Sequence, residues 1–341
     1  MTTTQATAPA GFPITARSAV DWIPLALVPV LALAALPLVG SVPTWVTLTV
    51  AGLAMGMMIF MMASGLTLVF GLMDVMNFAH GIFISVGAYG AATVLTRMRP
   101  QMEAGTLTSD LSAMVPAVLA AIALAGFLGW FFERVLIRPV YGDHLKQILI
   151  TMGGLIVFEQ LIHVVWGPDI IPLPRPSAIT GAFILGDAAI ERYRVLAVIV
   201  GLAVFAAMWL LLNRTKIGLL VRAGVENPEM VESLGYRIKR LFVGVFVAGS
   251  GLAGLGGAMW AMYQEQVTAQ MGMQVLVVIF IVVIIGGLGS VGGCFVGAML
   301  VGLMANYTGY LAPKLALGSN ILLMVLILLW RPRGLYAIGK A

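Results

Sequence analysis

The sequence is short of charge and of cysteine, and each shortage excludes a class of protein. Asp, Glu, Lys and Arg make up 10% of the 341 residues, against about 25% in an ordinary soluble domain. No polar stretch is long enough to fold as a soluble domain of its own. The single cysteine, Cys294, excludes an intrachain disulfide and a thiolate metal cluster. There is no G-x-x-x-x-G-K-[ST] phosphate loop: the only Gly-Lys pair is Gly339-Lys340, followed by Ala341, and the Gly-rich stretch Gly286–Gly293 lacks the lysine. Without that loop the chain cannot cradle a nucleotide's phosphates by the usual route, so any ATP hydrolysis that drives it belongs to another chain. The three histidines, 80, 144 and 163, have no H-E-x-x-H spacing. Ser250 sits between Gly249 and Gly251 in the manner of an intramembrane nucleophile, but its apolar run contains no histidine to act as base. The basic residues flank apolar runs without interleaved aromatics, which excludes a nucleic-acid surface.

What is abundant is apolar chain. The sequence is 61% hydrophobic with a mean hydropathy of +1.04. At about 20 residues per crossing, it reads as an all-α integral membrane protein, a polytopic bundle of about 8–10 transmembrane helices with broken or re-entrant segments. Residues 1–22 are small and polar and are expected to be mobile; residues 23–341 are read as one transmembrane domain. Apolar runs fall at 23–39, 45–70, 82–95, 113–132, 147–166, 195–212, 241–260, 275–285, 299–311 and 321–330. Two are interrupted, by GLMDVMNFAHG at 71–81 and by GGLGSVGGCFVGA at 286–298. The Pro-rich connection 167–194 ends in turn residues between short apolar runs, which predicts a small hairpin. If every run crosses, the segments sharing a side with both chain ends carry thirteen of the nineteen Lys and Arg. Loop 213–240 then faces the cytoplasm and loop 167–194 faces outward.

Loop 213–240 contains the most charged stretch, Arg222–Arg240, and within it a short helix with both ends marked. Asn227 suits the N-cap and Pro228 the first helical position. Glu229 and Glu232 lie toward the positive end of the helix dipole, and Gly235 follows where a left-handed residue closes a helix. Two turns of helix, Pro228 to Leu234, are marginal alone in water. Met230, Val231 and Leu234 give it an apolar surface for a partner to grip; the alternative is a capped connector that touches nothing.

Several polar residues lie inside or beside apolar runs, where they are costly. Asp74, Asn77 and His80 punctuate the first interruption and read either as a lining of the transport pathway or as caps of a short turn. Glu159 and His163 share a helix face, with Gln160 beside them; they read as a proton relay or substrate contact, or as an interhelical hydrogen bond near the Trp166 interface. Gly249, Ala253 and Gly257, and again Gly289, Gly293 and Gly297, form small-residue ladders suited to close helix packing or to a substrate groove. Methionines cluster at 55–62 and 73–76, as core filler or as an adaptable apolar pathway.

Four stretches, GLTLVFGLMDVMNFAHGIFISVGAYGA (65–91), ERVLIRPVYG (133–142), the loop 222–240 with the following AGSGLAGLGGAMW, and IGGLGSVGGCFVGA (285–298), give the chain a family resemblance. It resembles the permease subunits of ABC importers for branched-chain (hydrophobic) amino acids, the shorter of the heteromeric pair, in a family that also serves urea and short amides. The resemblance implies alternating access in a bacterial inner membrane. It implies a second homologous permease, two cytoplasmic ATP-binding subunits that hold the ATP and Mg, and a periplasmic substrate-binding protein. It also makes residues 23–341 the permease domain and Pro228–Leu234 a coupling helix docking on an ATPase. The family's E-A-A pattern is only partly kept: Met230-Val231-Glu232 stands in its place, while Gly235 remains. A stand-alone secondary transporter or channel is the competing class, with Glu159–His163 as its ion site.

Overall fold

A computed structural model describes residues 21–103, 106–173, 175–226 and 228–336. Thirteen α-helices are described: α1 Ile23–Val39, α2 Val42–Met73, α3 His80–Arg97, α4 Arg99–Glu103, α5 Leu107–Phe131, α6 His144–Trp166, α7 Arg192–Arg214, α8 Lys216–Glu226, α9 Pro228–Ser233, α10 Ile238–Gln264, α11 Met271–Gly286, α12 Val291–Leu311 and α13 Ala316–Trp330. Among them α2, α5, α6, α7, α10 and α12 are long and apolar enough to cross a membrane, and α1, α11 and the apolar part of α13 are shorter. Local chemistry sets several starts. Thr106 caps α5 by accepting from the Ser109 N–H, Asp143 caps α6 by accepting from Lys146, and Ser290 caps α12 by accepting from Gly293. Within lipid the backbone must satisfy itself, and helices do this within one segment.

The core is built around α2. Helix α12 lies antiparallel along it, with Gly52 against Leu303, Gly56 against the Ala298 carbonyl and Gly71 against Gly289. On another side α10 crosses at Gly65, which backs onto Gly249, and then reaches α3, where Gly87 meets Gly254 and Gly257 meets the Ile84 carbonyl. These are backbone-to-backbone approaches. Apolar side chains gain little from leaving lipid for protein, so close van der Waals packing at small residues holds such helices together. Both small-residue ladders therefore face partners inside this chain: Gly249 meets Gly65, Ala253 is fully buried, Gly293 lies on Gly286, and Gly297 faces Val282 and Ile285.

The two ends of the bundle differ. At one end β1 (Ile171–Pro172) pairs antiparallel with β4 (Gln266–Val267), and β2 (Ala182–Leu185) pairs with β3 (Ala188–Glu191) in the expected hairpin, turned at Gly186, φ 62°. Arg175 locks this end. It donates to the Met262 and Tyr263 carbonyls at 2.9 and 2.7 Å, pairs with Glu265 at 3.2 Å, and lies over the Tyr193 ring. At the other end Asp21 pairs with Arg331 at 2.7 Å and its carbonyl accepts from the Tyr336 hydroxyl. The Arg331 guanidinium holds the Asp21 carboxyl below the usual carboxylate range. Asp21 thus has partners in the C-terminal segment; residues 1–20 of the expected mobile segment 1–22 lie outside the described residues.

Three expectations about boundaries need correction. The second interruption is confined to residues 287–290, because Ser290 caps α12 and the Gly286–Gly293 approach lets α12 start beside the end of α11. Loop 96–112 contains α4 and the start of α5, and loop 213–240 contains α8 ahead of the short helix. After α5 the helix widens into a π-helical turn, Phe132–Ile137.

Candidate functional site

The two interruptions meet. Asp74 ends α2 in the left-handed region, φ 50°, and the chain doubles back so that the His80 ring at the start of α3 lies 2.9 Å from the Met62 carbonyl. Between them the backbone is not helical, and α6 supplies its partners: Gln147 Oε1 accepts from the Met76 N–H and Thr151 Oγ1 from the Phe78 N–H, both at 3.3 Å. Gln147 is itself held by donating to the Val140 carbonyl at 3.3 Å. Phe78 packs on Phe280 of α11, ring centres 5.2 Å apart. The second interruption needs Gly287 and Gly289, φ 94° and 82°. A methyl on Gly71 would overlap the Gly289 Cα, so the breaks touch through bare backbone. The last carbonyls of α11 accept from the N–H groups of Leu335 and Tyr336 at 2.8 and 3.1 Å.

Asn77 stands out at this junction. Its side chain is 1% exposed, yet neither Oδ1 nor Nδ2 has a hydrogen-bond partner. Such orphans are rare, because a buried amide without partners costs about 1–3 kcal/mol. An amide at a helix break can both donate and accept, so it can bind a polar group; it offers no nucleophile.

The other candidate residues are dispersed. Asp74 is exposed and pairs with His144 at 3.5 Å, tying the first interruption to α6. His80 is buried and faces the Met62 carbonyl. Glu159 lies two turns along α6 from Thr151, about 12 Å, and is not part of this junction. His163 does not pair with Glu159; its Nε2 meets the Gln270 amide at 3.3 Å across to the start of α11. The His163 Nδ1 is buried without a partner, so the contact satisfies only one side of the ring.

The capped helix forms as α9, with a difference in which face it offers. The Tyr236 N–H bonds the Val231 carbonyl at 3.2 Å and the Gly235 N–H bonds that of Glu232 at 2.9 Å, with Gly235 at φ 85°. This is a Schellman closure. Val231 is 2% exposed and turned inward, whereas Met230 and Leu234 are 54% and 68% exposed. Successive helical residues are rotated by about 100°, so Val231 cannot share the outward face with Met230. Asn227, and the side chains of Pro228 and Glu229, lie outside the described residues.

Sequence reasoning missed Gln147, Thr151, Gly65 and Gly71. For the two α6 residues the available signal was a pair of polar side chains four apart in an apolar run, the spacing that shares a helix face. The Gln147 contact is testable. Gln147→Ala leaves the Met76 N–H unpaired and should lower unfolding stability by about 1–3 kcal/mol. The exposed Gln160→Ala control should stay within about 0.5 kcal/mol; equal denaturation midpoints for the two would count against the contact.

A polytopic all-α bundle with two helix breaks in contact and small-residue helix packing is an integral membrane protein of the permease class. A family sequence profile places it further: residues 48–330 match that of the permease component of branched-chain amino acid transport systems, and the chain belongs to that family. Among curated relatives, the high-affinity branched-chain amino acid permease protein LivH of Salmonella typhimurium is 27% identical over 291 residues, covering 83% of this chain and 92% of LivH. BraD of Pseudomonas aeruginosa, named for the same transport system, is 27% identical over 296 residues, covering 84% and 94%. The nucleoside ABC transporter permease NupC of Lactococcus lactis is 27% identical over 194 residues, 56% of each chain. No solved structure matches. The chain is thus a multi-pass membrane permease subunit of an ABC-type transport family.

Proposed function

We propose that this chain carries branched-chain or other hydrophobic amino acids across a bacterial inner membrane by alternating access, paired with a second homologous permease. Two cytoplasmic ATPases hold the ATP and Mg and grip the outward face of α9, and a periplasmic protein delivers the solute at the hairpin end. The lysine and arginine distribution supports the sides: the α9 end, which also holds both described chain ends, is the cytoplasmic one. The observation that carries the pathway reading is the unpaired, buried Asn77 at the junction of two helix breaks. Its partners are supplied by the solute or by the other conformation, and a ligand shifts such an equilibrium only by binding the two states unequally.

Asn77→Leu tests this. Removing an orphan amide at nearly constant volume should raise the melting temperature, recovering part of about 1–3 kcal/mol. Uptake of leucine by the reconstituted complex should fall at least about tenfold, the equivalent of about 1.4 kcal/mol in the transport step. Lowered stability with unchanged uptake would make Asn77 structural. The match to a nucleoside permease supports one alternative cargo, and the family resemblance supports urea or short amides. Competition of labelled leucine uptake by uridine, urea and acetamide decides among them, with isoleucine and valine expected to compete best. A proton-driven uptake by this chain alone would replace the importer reading with a secondary transporter.

A further inference from the structure

A second site lies at the α9 end of the bundle, on the far side of the Val140–Gln147 contact from the first helix break. Between the π-helical turn and the α9–α10 junction is a cleft of about 720 Å³. Five cationic side chains line it, Arg134 and Arg138 on one wall and Arg237, Lys239 and Arg240 on the other. All five are exposed. Among the described residues none has a carboxylate within ion-pair distance. Lys and Arg are cheap at a surface; five of them around one concavity, against the single exposed carboxylate of Glu232, produce a field that attracts an anion.

The cleft also contains an opposite demand. Glu133, in the π-helical turn, lines the same cleft and is 2% exposed. Its Oε1 accepts from the Tyr141 hydroxyl at 2.9 Å, while its Oε2 is buried and has no partner. Burial first, and the adjacent Glu133 charge second, push the Tyr141 phenol above its ordinary pKa, so Tyr141 remains a donor. A buried carboxylate oxygen left unpaired is costlier than an orphan amide. The nearby guanidinium groups do not satisfy it; they are directed to solvent.

We propose that this cleft binds a compact zwitterion, its ammonium donating to Glu133 Oε2 and its anionic group facing Arg237, Lys239 and Arg240. Neither half of the site is explained by a simple anion, which would leave Glu133 unpaired, nor by a cation, which the five positive groups would repel. Two sources supply this chemistry: a free α-amino acid on the cytoplasmic side, or the ethanolamine phosphate head group of a membrane lipid. The cleft is shared between α5's continuation and the α9–α10 junction, so occupancy favours whichever relative position of these walls fits the ligand. The cleft borders the proposed docking helix, since Glu232 and Gly235 line it as well, but the groups invoked here lie outside α9.

The test uses the full chain purified into lipid nanodiscs, each ligand set against a counterpart that lacks the N–H donors. Thermal stabilisation and retention in native mass spectrometry are compared for phosphatidylethanolamine against phosphatidylglycerol. Leucine is compared with 4-methylpentanoate in phosphatidylcholine discs. The expected result is selective binding of at least one zwitterion, weakened at least tenfold both by Glu133→Gln and by the exposed pair Arg237→Glu, Arg240→Glu. Selectivity for the lipid alone assigns the head group, and selectivity for leucine alone assigns the amino acid. Equal binding of each ligand and its ammonium-free counterpart, or zwitterion binding that both variants leave intact, overturns the proposal. Because the second variant alters only exposed side chains, misfolding of Glu133→Gln does not remove the test. Loss of leucine uptake in Asn77→Leu bears on the pathway and not on this cleft, so the two readings fail separately.

Discussion

Gly65→Leu is expected to leave almost no folded protein in the membrane, whereas Gly153→Leu leaves the yield unchanged. A Cβ at Gly65 would overlap the Gly249 carbonyl, and a Cβ at Gly249 would lie 2.7 Å from the Gly65 carbonyl. The obstruction on both sides is main chain, which has no rotamer to turn away. Overfilling a packed core costs about 1–3 kcal/mol, and more where nothing can yield. A leucine here requires α2 and α10 to separate, disrupting the neighbouring approach of Gly256 to Met62 as well. A cost above about 4 kcal/mol is a large share of the roughly 5–15 kcal/mol that holds a protein folded. Gly153 on α6 has nothing within 4 Å of its Cβ position. Fluorescence-detected size exclusion of tagged protein measures the difference; similar monodisperse peaks for both variants would mean that α2 and α10 do not meet as described.

The second large effect belongs to α9. Met230→Asp with Leu234→Asp should reduce ATP-driven uptake by more than about a hundredfold while the protein inserts and melts normally. Both side chains are exposed, so their replacement leaves the permease fold alone. Each apolar side chain of this size contributes about 1.5–3 kcal/mol when buried by a partner. Losing two removes about 3–6 kcal/mol of docking, and a charge in their place adds desolvation. Gly235→Val separates helix shape from helix surface. Its Cβ would meet nothing, so it acts only through the positive φ, at about 1–2 kcal/mol. It should lower uptake by roughly tenfold. Full uptake in the double aspartate variant would show that α9 is a connector without a partner.

The short helix was readable in the sequence because its ends are written locally. Pro228 sits at the first helical position and Gly235 at the left-handed close, and neither depends on distant residues. Which of its side chains face outward was not readable: Val231 and Met230 are both apolar, and only the presence of α8 and α10 decides that Val231 turns in. The interrupted runs were legible for a similar reason, since Asp74 and the Gly286–Gly289 cluster break an apolar pattern. Their juxtaposition was not, because Gly71 and Gly289 are remote in the chain and meet through backbone, which carries no sequence signal beyond a missing side chain. The small-residue ladders announced close packing but not its address. Glu159 and His163 show the limit of spacing: the same helix face permits a pair, and the arrival of Gln270 from α11 determines that His163 takes another partner.

The Arg175 lock has a mechanical consequence. One guanidinium clasps two carbonyls at the end of α10, a carboxylate just beyond it and a ring from α7, while β1 is stitched to β4 beside it. The rim of α7 and α10 is thereby held as one piece, since a single side chain spans both helices and the strand pair beside them. Were the proposed delivery protein to seat on the hairpin side, this clasp would offer it one stiff platform in place of separately moving helix ends.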